Sequence, residues 1–348
     1  MKFTGIALGL IFLASPIFAE DQPPQGPSNE KAQKTYKDAL EYLYRREIIS
    51  AYEAFKKADK QDDGRCRACQ RQIIKYGQEF QDWKALEIVG AEMIAEAQGP
   101  KEVALAHYEL GVLLIDEGTD RHKEEILERA HQEMIKALAT VPKFPDAVLS
   151  DGQILAHLHQ DGAAKERFQQ FVKMMPAESP ARQRALRYIS EPDLARARTV
   201  PAFAVETIDG QRMSLDDLQG KVVLIDFWAT WCGPCMAALP HIRSIAKKFE
   251  GQPLVVLSIS VDTNQAKWKE FVAKNEMTWP QAFDGGFNGK VARAFGVHAI
   301  PNTFTVDADG VLQDEHTGDG SIEGKLKKLV KRAEEVRAAK AAGSEVQP

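Results

Sequence analysis

The four cysteines of this 348-residue chain fall in two pairs of identical spacing, Cys66 with Cys69 and Cys232 with Cys235. Two intervening residues place the second sulfur one helical turn past the first, close enough to close a small disulfide ring. The second pair reads Trp231-Cys232-Gly233-Pro234-Cys235 and stands where an apolar run gives way to a helical pattern. At such a helix start the free N–H groups and the helix dipole stabilise an anion, which lowers the pKa of the first thiol. Cys232 is therefore expected to be the nucleophile and Cys235 the thiol that resolves a mixed disulfide. Pro234 suits a first helical turn, where its missing N–H costs nothing. A zinc site would need two further ligands, and the other cysteines lie far away in the chain; haem attachment would need His where Met236 stands. No metal and no cofactor are expected. The reading is a redox-active pair acting on protein thiols or disulfides, with an inert structural disulfide as the competing one.

Cys66 and Cys69 follow Asp62-Asp63-Gly64 and fall in the first turn of another expected helix. The sequence offers no strand, buried acid or proline platform beside them. A structural disulfide stapling the helix start is expected there, in an oxidising compartment. A second redox centre that relays electrons is the alternative.

The elements that hold these pairs divide the chain. Residues 1–19 read as a signal peptide, with Lys2, an apolar 6–13 run and a small-residue cleavage site at Ala19. The apolar run is shorter than the roughly 18 residues of a membrane span, so a periplasmic or secreted address follows, and no cysteine near the cleavage site suggests a lipid anchor. Residues 20–31 form a Pro- and Gln-containing flexible leader. Residues 32–198 carry Ala, Leu, Glu, Lys and Gln at helical spacing. From residue 199 short β-branched runs separated by turn residues take over, through 339, and 340–348 read as a disordered tail. Strands are expected at 203–207, 221–227, 254–261, 302–306 and 311–315, with helices after the cysteine pair to 249 and at 265–275, 289–295 and 321–339. A formal charge of −5 lacks the basic excess of a nucleic-acid binder, so nucleic acid is not expected as a partner.

Two resemblances sharpen this division. Ala130, Met134, Ala137 and Pro142, then Ala164, Phe168, Phe171 and Pro176, repeat one spacing, with Gly111 and Gly152 upstream. This resembles the second helix of tetratricopeptide (TPR) repeats, and copies tiled at that family's period start near Ala32, Cys66, Ala104 and Pro145. The resemblance implies a stacked α-helical array whose concave surface takes a protein partner.

The run 223–235, from Val223 through Asp226 to Cys235, together with Ile300-Pro301, resembles thioredoxin. With Asp209-Gly210, Ser214-Leu215, Gly220-Lys221 and the insertion around 262–279, the segment is similar to the exported TlpA/ResA branch. That resemblance implies an α/β thioredoxin-like domain, a mixed sheet flanked by helices, following the helical repeat domain. It implies a cis Pro301 facing the cysteines, with Ile300 and Pro301 offering backbone to a substrate peptide and Trp231 shaping the rim. Asp226 matches the buried acid beneath the resolving cysteine, whose raised pKa suits it to take the proton of Cys235. Two departures stand out. The Glu common in that branch after the cysteines is replaced by the run Met236-Ala237-Ala238-Leu239-Pro240, and the lysine beside the buried acid of thioredoxin is replaced by Ser258.

The expected function is an exported thiol-disulfide oxidoreductase; the Gly-Pro between its cysteines resembles that of reducing thioredoxins, and the resemblance implies a reductase supplied by a membrane electron donor. The alternative is a TPR-based binding scaffold with a passive or regulatory thioredoxin-like module.

Overall fold

The computed structural model describes residues 26–317 and 322–344, with side chains to 338. The expected signal peptide at 1–19, the first part of the leader and the end of the tail lie outside the described residues. The chain divides into two units, Met1–Met175 and Pro176–Pro348.

Among the described residues the first unit is helical: α1 (Glu30–Tyr44), α2 (Ile48–Gln61), α3 (Arg67–Phe80), α4 (Trp83–Glu96), α5 (Gly99–Asp120), α6 (Glu124–Thr140), α7 (Pro145–His157) and α8 (Asp161–Met174). Successive helices pack in pairs, each pair stacks on the next, and α5 also meets α7. The pairs begin close to where the repeat spacing puts them. Small residues let paired helices approach: a Cβ on Gly152 would stand 2.6 Å from Phe168 Cε1, and one on Gly111 2.7 Å from Met134 Cε. Phe55, Phe144, Phe168, Phe171 and Met134 are fully buried between the layers.

The leader ends sooner than the sequence suggests. Asn29 caps α1 through Ala32 N–H, and Asp62 Oδ1 accepts from the N–H groups of Ser28 at 2.9 Å and Asn29 at 3.2 Å, which ties down residues the composition marks as loose.

The second unit opens with α9 (Pro180–Ser190) and α10 (Pro192–Arg196). The β-branched pattern starts only at 199, so the sequence assigns these helices to the first domain. Arg184 decides otherwise: it is fully buried, its guanidinium pairs with Asp216 at 2.7 Å and donates to the Val200 carbonyl at 3.3 Å. Then come a hairpin of β1 (Ala204–Glu206) and β2 (Arg212–Ser214), turned at Gly210 with a positive φ of 79°, and a 3-10 turn at Asp216–Leu218. The main sheet uses β3 (Val222–Trp228), β4 (Leu254–Ser260), β5 (Gln281–Phe283), β6 (Asn302–Val306) and β7 (Leu312–Thr317), in the order β5-β4-β3-β6-β7. β3 and β4 are parallel, as are β4 and β5, whereas β6 and β7 run antiparallel. Helices α11 (Gly233–Lys248), α12 (Gln265–Lys274), α13 (Lys290–Ala294) and α14 (Glu323–Ser344) complete the unit. This is the mixed sheet flanked by helices that the resemblance implies.

Two further differences concern extent. β5 is absent from the sequence reading, and α14 runs to Ser344, through residues expected to form the tail. The segment 338–342 is rich in alanine, the residue that loses least on entering a helix.

Candidate active site

β3 is buried along its whole length and ends at Trp228; a short turn then delivers the cysteines to the start of α11. Cys232 is the N-cap of that helix, and its sulfur accepts the Cys235 N–H at 3.1 Å. The two are joined, Cys232 to Cys235, with Cα atoms 5.2 Å apart. Placing the first sulfur among free N–H groups is the arrangement that favours a thiolate once the bond is reduced. Each cysteine is only 4–5 % exposed, and the exposed feature of the rim is Trp231 at 60 %. Its indole meets the Phe287 ring edge-on at 6.2 Å. Trp228, by contrast, is buried and packs on Phe271.

Behind the cysteines a cavity of about 10 Å³ is lined by Asp226, Trp228, Cys235, Ala238, Leu239, Ile242 and Pro301. That is room for one water. The Ile300–Pro301 peptide is cis, and it enters β6, whose Thr303 is in register with Asp226. The structure thus brings Cys235, Asp226 and Pro301 to one small space, with Cys232 joined to Cys235.

Asp226 is a strand residue with neighbours on both sides. Burial pushes its carboxyl up to about 7, and a hydrogen bond from Ser258 partly opposes the rise. Ser258 is its register partner on β4, with Oγ 3.1 Å from Asp226 Oδ2. A carboxyl that titrates near neutrality, facing a thiol across room for a water, can exchange a proton with it.

Two contributors escape the sequence reading. Asp262 accepts from the Thr230 N–H at 3.0 Å, the Thr230 hydroxyl at 2.7 Å and the Ser260 hydroxyl at 2.7 Å, so a buried carboxylate anchors the turn just before Trp231. Trp279 donates its indole N–H to Ser258 Oγ at 2.9 Å. The available signal was the interruption of the apolar strand by Ser258 and Ser260 at alternate positions, which puts two polar groups on one face, with Asp262 just beyond its end.

The other pair is bonded too, Cys66 to Cys69, and Cys66 caps α3 with its sulfur accepting the Cys69 N–H at 3.1 Å. The surroundings differ. Both cysteines are fully buried. Contrary to the expectation that no acid lies near, Asp59 Oδ1 accepts the Cys66 N–H at 3.1 Å. Burial, with Glu92 alongside, holds the Asp59 carboxyl above its usual range. The acid was missed because it comes from α2, seven residues upstream, and only the fold back into α3 brings it close.

A model of the AhpC/TSA family matches residues 197–315. The chain is 30 % identical over 135 residues to the thiol-disulfide oxidoreductase ResA of Bacillus thuringiensis (strain Al Hakam), covering 38 % of this chain and 77 % of that protein. It is 31 % identical over 132 residues to the thioredoxin-like protein YneN of Bacillus subtilis (strain 168), covering 37 % and 75 %. Among solved structures, a thiol:disulfide interchange protein of the thioredoxin family from Chlorobium tepidum TLS is 26 % identical and covers 40 % of this chain and 97 % of its own, with a TM-score of 0.35.

Proposed function

The chain belongs to the ResA family of thioredoxin-like thiol-disulfide oxidoreductases, and from that membership we propose that it is an exported reductase of protein disulfides. The observation that carries the reading is the shared cavity of Cys235, Asp226 and Pro301 behind an N-cap Cys232.

In the reduced enzyme the Cys232 thiolate attacks a substrate disulfide: a bond forms from Cys232 to one substrate sulfur, the substrate S–S bond breaks, and the other sulfur leaves as thiolate. Cys235 then gives its proton to Asp226 and attacks Cys232, releasing the second substrate sulfur. Two electrons have passed to the substrate and the enzyme is left as the Cys232–Cys235 disulfide. A dithiol electron donor, membrane-borne in this reading, restores it. Trp231, Ile300 and Pro301 hold the substrate chain, the first through its exposed ring and the others through backbone.

The helical unit is the docking module for a protein partner, and its Cys66–Cys69 bond is structural. Full burial denies it to a substrate protein. Among the described residues no helix is long and apolar enough to cross a membrane; the exported address rests on the N-terminal sequence pattern.

Insulin reduction driven by a dithiol tests the assignment. The wild-type protein should precipitate insulin B chain, and Cys232→Ser should abolish the turnover. Equal rates in the two proteins would leave the helical array, as a scaffold, the better reading.

A further inference from the structure

We infer that Trp279, acting through Ser258, is a positioning residue for Asp226: its indole fixes the serine hydroxyl toward the carboxyl that exchanges a proton with Cys235. The inference rests on the assignment of Asp226 as proton acceptor.

The donor and acceptor inventory gives the chain a single direction. An indole N–H can only donate, and an ionised carboxylate can only accept. Trp279 Nε1 lies 2.9 Å from Ser258 Oγ, so that oxygen accepts from it. Ser258 has one hydroxyl hydrogen, and Asp226 Oδ2, 3.1 Å away, is where it goes. Trp279, Ser258 and Asp226 are 7 %, 0 % and 6 % exposed, so water offers little competition. Within a buried site each bond polarises the next, and the serine becomes a better donor because it is also an acceptor.

The backbone holds the arrangement from both sides. Ser258 is in parallel register with Asp226, and its N–H donates to the Pro280 carbonyl at 3.0 Å. The segment that supplies the indole is therefore clamped to the residue the indole bonds. The groups facing Asp226 are few. From α11 the titratable one is Cys235, across the cavity; from β4 it is Ser258, which does not titrate; from β6 the register partner is Thr303. Among the described residues no charged side chain contributes to holding the ionised form, and burial opposes it. The Ser258 hydroxyl is the donor that makes the carboxylate tolerable there, and Trp279 keeps it pointed correctly.

The test isolates the step that uses Asp226. Reduced protein is mixed with 5,5′-dithiobis(2-nitrobenzoate) in a stopped-flow instrument; the first thionitrobenzoate reports attack by Cys232 and the second reports resolution by Cys235. The second phase should speed up as pH rises through the Asp226 titration. Ser258→Ala, which strips the donor, should move that limb up by about one pH unit, a roughly tenfold slower second phase on its acid side. Trp279→Phe, which keeps the ring and removes the N–H, should move it the same way by roughly half as much. Ser258→Thr, which restores a hydroxyl, should bring it back toward wild type. Carbon-13 titration of the Asp226 carboxyl in reduced wild-type and Trp279→Phe protein gives the same answer without turnover. A limb and a carboxyl titration that stay put in Trp279→Phe and Ser258→Ala would overturn the inference. Asp226→Asn separates the two levels. Loss of the limb in that variant, with no movement in the others, removes only the role of Trp279; a limb that survives Asp226→Asn removes the proton-acceptor assignment beneath it.

Discussion

Asp226 lies beneath Cys235 with a neutral hydroxyl for its hydrogen-bond partner, so its charge is tolerated at a cost. Burial raises its folded-state pKa to about 7, from 3.8 for a free side chain. A carboxyl raised on folding contributes its stability in full below the unfolded value and loses it as pH rises through the folded one. Asp226→Asn should therefore raise the melting temperature at pH 8 and change it little at pH 4, while slowing resolution by about 100-fold. Melting curves at the two pH values, set beside the second phase of dithiobis-nitrobenzoate reduction, check both halves; an unstabilised, fully active variant at pH 8 would count against the role. The residues legible in sequence were those the chemistry places close together along the chain, Trp231 to Cys235, or those a resemblance locates, Asp226 and Ile300-Pro301. Trp279, Asp262 and Asp59 were not, because each reaches its partner only through strand register or helix pairing, which spacing alone does not encode.

Elements show the same division. The strands with long apolar runs and the helix after the cysteines fall close to where periodicity puts them, but β5 has three residues, follows Pro280 and exists through its pairing with β4. The helical unit gives two tests of how its elements are fastened. The Cys66–Cys69 bond closes a ring of few residues at the start of α3, so removing it should cost about 2 kcal/mol by the chain-entropy estimate. Urea unfolding of the Cys66→Ala, Cys69→Ala double variant should show that loss at unchanged insulin reduction; impaired turnover would point to an electron relay instead. Gly152 sets α7 against α8. Alanine there gains about 1 kcal/mol of helix propensity, but its Cβ would stand 2.6 Å from the buried ring of Phe168, and overpacking costs about 1–3 kcal/mol. Net destabilisation is expected, relieved in part by adding Phe168→Leu. Gly162→Ala in α8, where nothing lies within 4 Å, should instead be neutral or slightly stabilising.

At the scale of the molecule, both units bury carboxyl groups. In the helical unit burial lifts Asp116 to about 8 and Glu109 to about 7, and it also raises Glu92 and Glu96. In the thioredoxin-like unit it raises Asp226, Asp284 and Glu315. Opposing them are Asp62 and Asp82, held below the usual carboxylate range by hydrogen bonds that outweigh their burial, from Ser28 and Asn29 in one case and from Lys56 and Tyr52 in the other. The two groups act in different windows. The raised carboxyls stay protonated in the folded chain after the unfolded chain has released its protons, so their stabilisation drains away between about pH 4 and pH 8. The lowered ones lose theirs only as pH falls below about 4. Stability should therefore peak on the mildly acidic side of neutrality, with a melting temperature at pH 5 above that at pH 8.5 by roughly 5 °C or more. Asp116 is a direct probe, because its partner, Gln78 Nε2 at 2.8 Å, can still donate to an amide oxygen. Asp116→Asn should raise the melting temperature at pH 8.5, leave it nearly unchanged at pH 5, and so flatten the profile; a melting temperature that is level or rising from pH 5 to pH 8.5 in the wild-type protein would show that the buried acids ionise without cost to the fold.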